Sequence, residues 1–201
     1  MAVRATPQPI TVGAAPPPAD RGGPTLDLEQ QDRNTWCWAA CVEMVLKRFS
    51  LFLGENEQCQ IAEKGLRLAG FIANTASCCP ASSNSSVCNR LLPDKFVTEL
   101  WETYGVPVRA DFGPFFLDEQ ATVEKLVASL NQNHPVELGF TDDVGHVVML
   151  FRWERDADGT LRFLYHNPGP GSGSTDSVSS DRIIRSGSRI LDATWEILMA
   201  G

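Results

Sequence analysis

The 201-residue sequence has little with which to hold a membrane or a nucleic acid. No apolar run approaches the ~20 residues needed to cross a bilayer, which excludes a membrane-spanning helix. Lys and Arg number 17 against 25 Asp and Glu, a formal net charge of −8. The basic patch that nucleic-acid binding calls for is therefore missing. Histidine is scarce, with three in the chain, so any imidazole chemistry must use His134, His146 or His166. The first residues, from Met1 to Pro7, lack the continuous apolar core of a secretory signal. They read as the start of a mature or domain form, or as export by another route.

What is present suits one domain with a real core: 43% of residues are hydrophobic. Residues 1–25 carry Pro7, Pro9, Pro16, Pro17, Pro18 and Pro24 among Ala and Gly, a composition expected to form a flexible leader. Residues 26–201 are expected to form the domain. Helical spacing of apolar residues predicts helices over 37–49, 57–67, 92–105 and 118–131. An extended piece over 106–109 interrupts them. After Pro135 the runs become strand-like, over 136–141, 146–153, 161–166, 182–185 and 188–199. A mainly helical half (26–134) followed by a mainly sheet half (135–201) predicts an α+β fold, not alternating βαβ units.

The most informative stretch runs from Gln31 to Phe49. Trp38, Cys41, Val42, Val45, Leu46 and Phe49 fall on one helical face, and Asn34 and Thr35 stand where an N-cap belongs. Cys37 then lies in the first turn, where unpaired N–H groups and the helix dipole favour a thiolate. Gln31, six residues upstream, carries an amide able to donate to an oxyanion formed at a carbon that Cys37 attacks. Cys41, one turn further in, reads as core.

A cysteine nucleophile needs a base, and the base needs an orienting group. The runs flanking 154–159 predict a hairpin. If Trp153 pairs with Thr160, His146 falls opposite Asn167, close enough for the amide oxygen to hold a ring N–H. A bulge shifting the register by one would bring His166 opposite instead. His134, before Pro135, reads as a helix-end or loop residue.

Gln31, Cys37 and Trp38, followed by His146 and then Asn167, resemble the motif order of papain-like cysteine peptidases. The Trp-Cys-Trp-Ala-Ala-Cys form and the short chain are similar to compact bacterial members, among them secreted effector proteases and peptidase domains of bacteriocin exporters. The resemblance covers residues 31 to about 168. It implies a papain-like fold with the cleft between the two halves, Cys37 as nucleophile and His146 as base. It further implies Asn167 orienting His146, and Gln31 with the Cys37 N–H stabilising the oxyanion. A resting thiolate–imidazolium pair is expected. No cofactor or metal is expected. The implied partner is a protein or peptide substrate, with an inhibitor or immunity protein as a further candidate, and the implied role is that of a secreted effector or toxin. Deamidation, transglutamination, acyl transfer and an inert cysteine-stapled binding module are the alternatives.

Cys59, Cys78, Cys79 and Cys88 flank a Ser/Asn-rich loop that would order poorly without cross-links. Two disulfides among these four are expected, with Cys78 and Cys79 bonding elsewhere than to each other and Cys59 and Cys88 as their partners in open order. A structural zinc is the alternative. Asn84-Ser85-Ser86 matches a glycosylation acceptor pattern. The tract from Gly169 to Thr175 is expected to be a connecting loop or a rim of the cleft.

Overall fold

A computed structural model describes residues 20–51, 57–79, 86–113, 115–141, 145–169, 173–186 and 189–199. The glycosylation pattern at Asn84, the turn near Gly54 and most of the proline-rich leader lie outside these residues. Among the described residues there are four α-helices: α1 (Cys37–Arg48), α2 (Glu57–Leu68), α3 (Asp94–Thr103) and α4 (Glu119–Asn131). None is long and apolar enough to cross a membrane.

Among the described residues eight strands form one antiparallel sheet: β1 (Arg21–Gly22), β2 (Val108–Phe112), β3 (Val136–Thr141), β4 (His146–Arg155), β5 (Leu161–Asn167), β6 (Ser174–Ser179), β7 (Arg185–Ser186) and β8 (Arg189–Ile197). Their order is β2-β8-β3-β4-β5-β6, with β1 on β4 and β7 on β8. The α+β expectation holds, with the helical half followed by the sheet.

Both faces of the sheet are covered. Alternate residues of β4 serve two cores: Met149 and Phe151 pack with α1, α2 and α3, while Val148 and Leu150 pack with Leu126 and Leu130 of α4. A register shift between Leu150 and Arg152 breaks this alternation, so Trp153 joins the α4 core although it is two residues beyond Phe151. Inserting one residue reverses the face of all that follow, which is what a bulge does.

The central helix differs from the one-faced helix that its spacing predicts. Ten consecutive residues, Cys37 to Leu46, are buried, because α1 is enclosed by the sheet, α2 and the loop after it. Glu43 tolerates this position by accepting from Gln58 Nε2 at 2.8 Å and pairing with Lys47 at 2.9 Å. Gly65 of α2 lets the Trp38 ring of α1 lie against its backbone, since a Cβ there would meet that ring at 2.8 Å.

Three expectations need correction. The strand expected over 182–185 is a 3-10 turn (Ser180–Arg182) leading to the two-residue β7, because Ile183 and Ile184 are both buried in the α4 core and cannot alternate. Ser174 and Thr175, expected in a connecting loop, open β6, which pairs with β5 along its length. The leader expectation reaches residue 25, yet Arg21 and Gly22 already pair with Glu154 and Trp153.

Candidate active site

Cys37 is the first residue of α1 and 3% exposed. The helix has no side-chain cap. Thr35, expected as a cap, instead donates its hydroxyl to Asn89 Oδ1 at 2.9 Å. The indole N–H groups on either side of the cysteine reach the same loop: Trp36 Nε1 donates to Cys88 O at 2.7 Å and Trp38 Nε1 to Arg90 O at 3.3 Å. That loop is closed by disulfides Cys59–Cys79 and Cys78–Cys88. The expectation of two bridges with Cys78 and Cys79 bonded apart is met, and thiols spent in disulfides are not zinc ligands. Cys41 is a free, fully buried thiol in the core.

The hairpin register is not the expected one. Arg155 pairs with Leu161 and, beyond the bulge, Met149 pairs with His166. Continuing that register, Asn167 faces Val148, two residues past His146. Diagonal neighbours of this kind share a face, and their side chains remain within reach. His146 Nε2 and Asn167 Oδ1 are 2.8 Å apart.

The direction of that bond is fixed by a second donor. Asn167 Oδ1 also accepts the Gly169 backbone N–H at 3.1 Å, so the atom facing His146 is the amide oxygen. His146 must donate through Nε2–H, which leaves Nδ1 as the basic nitrogen of the neutral ring. Gly145, at φ +66, turns the chain into β4 immediately before His146.

His166 is excluded as the base. It is 4% exposed and held in the core, stacked on Phe151, with Nδ1 against Thr175 Oγ1 and Nε2 donating to Leu26 O, both at 2.9 Å, and it does not line the cavity that Cys37 lines. Burial holds its pKa below the ordinary imidazole value. His134 meets Glu196 at 3.1 Å.

Cys37 and His146 line one cavity of about 270 Å³, together with Trp38, Leu91, Leu92, Pro93, Asp94, Val97, Val147 and Asp192. Gln31 is not among its walls. Gln31 is buried before α1, its backbone N–H donating to Pro168 O at 2.9 Å and its side-chain Nε2 to Arg33 O at 2.8 Å. The backbone bond ties the approach to α1 to the residue after Asn167, so the two halves of the site are joined next to the chemistry.

Electrostatics at the thiol depart from the expected thiolate. Burial pushes Cys37 up to about 11; the backbone N–H groups of Val147, Trp38 and Cys37 itself pull it down, and Glu137 adds to the rise. The first turn acts in the direction that the helix dipole requires, but desolvation outweighs it. Two contributors were not legible in the sequence. Val147 adds a donor from β4 to the sulfur, and the fully buried Glu137 on β3 carries a carboxyl raised to about 8 by burial. Glu137 accepts from Trp101 Nε1 at 2.9 Å. Strand alternation alone would mark both positions only as inward-facing.

No protein-family model matches the chain, and no curated protein matches it. Solved structures do. UfSP from C. elegans matches at 9% identity and TM-score 0.52, over 93% of this chain but 35% of its own. A double-glycine-motif protease from an AMS/PCAT transporter, solved with its leader peptide, matches at 13% identity and TM-score 0.48, covering 88% and 94%. Bromelain from Ananas comosus, solved with the E64 inhibitor, matches at 14% and 0.46, covering 90% and 100%. At such identities these likenesses concern the fold, and the UfSP match carries the argument. The fold is α+β and matches that of UfSP over 93% of this chain, with Cys37 of α1 and His146 of β4 lining one cavity.

Proposed function

We propose that this chain is a cysteine peptidase in which Cys37 attacks, His146 carries the proton and Asn167 orients His146. The observation that carries the reading is the 2.8 Å His146–Asn167 bond at a cavity lined by both His146 and Cys37. In the first step the thiol proton passes to His146 Nδ1 as Sγ bonds to the carbonyl carbon. The oxyanion is met by the Cys37 N–H, with Gln31 as a second donor once its amide, bonded to Arg33 O and not among the cavity walls, turns toward Cys37. Collapse expels the amine, which takes the proton from His146 and leaves a thioester. Water then attacks the thioester, giving a proton to His146; collapse releases the carboxylic acid, and the departing thiolate takes that proton back from His146, restoring the thiol.

Burial raises the pKa of the thiol, so nucleophile formation rests on His146 taking its proton. A protein or peptide is the substrate, and the disulfides fit an oxidising destination, as for a secreted effector or toxin met by an inhibitor or immunity protein. Cys37→Ala is expected to abolish cleavage of peptide substrates without lowering thermal stability. Full cleavage by that variant sinks the assignment. Mass spectrometry of the products separates chain cleavage from the one-unit gain of a deamidase. The raised thiol pKa favours one rival, an inert binding groove. Cleavage by the wild type would remove it.

A further inference from the structure

The cavity beside Cys37 has apolar walls and an acidic end. Leu91, Leu92, Pro93 and Val97 come from the entry to α3, and Leu91 is 40% exposed. The acidic end is built from two distant segments. Asp94 opens α3, and Asp192 stands between Leu191 and Ala193, which pair with the adjacent residues Phe140 and Gly139. Asp192 is thus the extra residue of a bulge, a device that re-aims a side chain out of the sheet's alternation. Here the re-aimed carboxylate enters the cavity and accepts from the Thr141 hydroxyl.

The two acids sense each other across the space. Burial, and after it the charge of Asp192, holds the Asp94 carboxyl above its ordinary range. Among the described residues neither carboxylate forms an ion pair with Lys or Arg, and His146 is the cavity's remaining ionisable wall besides Cys37. An apolar cavity with two carboxylates that no Lys or Arg pairs complements a long aliphatic stem with a cationic tip.

We propose that this cavity selects substrates by seating a lysine or arginine side chain, its stem along Leu91, Leu92 and Val97 and its cationic head at Asp94 and Asp192. The proposal rests on the peptidase reading for its location beside the nucleophile, and it names the peptide class that such a peptidase takes. The chain's net charge of −8 acts in the same direction at long range, drawing basic peptides toward it.

Binding to the full-length Cys37→Ala protein tests the pocket without needing catalysis. Fluorescent hexapeptide libraries would fix each position in turn as arginine, lysine, norleucine, glutamine or glutamate, with affinity read by anisotropy. One position is expected at which arginine or lysine binds about tenfold more tightly than norleucine, the scale of one charge-assisted hydrogen bond. Adding Asp94→Asn and Asp192→Asn should erase that preference while norleucine peptides bind as before. Equal binding of norleucine, absence of binding, or a basic preference that survives both substitutions would overturn the proposal. Cleavage of the same libraries by the wild type separates the two readings. Cleavage without basic selectivity removes the pocket assignment alone, whereas selective binding without cleavage removes the peptidase assignment alone.

Discussion

The two halves of the site are held by different physics. Cys37 sits at the start of a helix whose flanking residues, Thr35, Trp36 and Trp38, all bond to the irregular segment Cys88 to Arg90, itself anchored by two disulfides. His146 and Asn167 are held by a sheet, where two neighbouring strands and a shared face set their separation. The first half depends on covalent cross-links for its local order. The second depends on register parity, which a one-residue slip would reverse. A reducing environment should therefore loosen one half and spare the other.

Removing a cross-link tests this asymmetry with the largest effect. Replacing either cysteine pair by serine should cost about 2–5 kcal/mol in urea unfolding. Hydrogen exchange should accelerate at the first turn of α1 while β4 and β5 amides keep their protection. Equal acceleration in both halves would break the comparison.

Asn167→Ala acts on the sheet half. His146 would lose the acceptor that fixes Nε2–H, so kcat should fall on the order of 100-fold, the low end of general acid–base contributions. Thermal stability should move little, since Asn167 is only half-buried. A large fall in stability with unchanged kcat would make Asn167 a structural residue.

Glu137 lies between the halves, on β3 behind α1, and its effect is on pH dependence. Its folded pKa, about 8, is raised above the ordinary carboxylate value by burial. Between those two values the folded chain holds a proton that the unfolded chain has lost. Stability from this group is thus fully present at acid pH, falls as pH rises through that window, and levels off above about pH 8. Glu137→Gln should flatten that slope in urea midpoints measured from acid to mildly alkaline pH. An unchanged slope would remove Glu137 as its source.

The smallest effect is expected at Thr35→Val, which deletes the hydroxyl donated to Asn89. About 1 kcal/mol should be lost, the net value of one such bond.

Much of this was legible because periodicity is local. α1, α2 and α4 and strands β3, β4 and β5 each fall within a few residues of their expected bounds. The pairing of His146 with Asn167 was anticipated from a register that proved wrong by three residues in the sum of partners, 313 against 316 before the bulge and 315 beyond it. It survived because the bulge restored the parity that places both on one face. β6 escaped notice because Ser-Thr-Asp-Ser-Val-Ser lacks an apolar alternation, and its strand form comes from pairing with β5. The helix-start position of Cys37 is visible in sequence, while the desolvation that pushes its thiol the other way is not. Asp94 and Asp192 could not be linked, since only the bulge in β8 brings the second into the cavity.

The central claim, that His146 activates Cys37, is tested most directly by alkylation of the thiol. Iodoacetamide modification at Cys37, followed by peptide mapping at neutral pH, should be at least about tenfold slower in His146→Ala than in the wild type, as expected for loss of the base. Equal rates in the two proteins, with Cys41 unmodified in both, would contradict it.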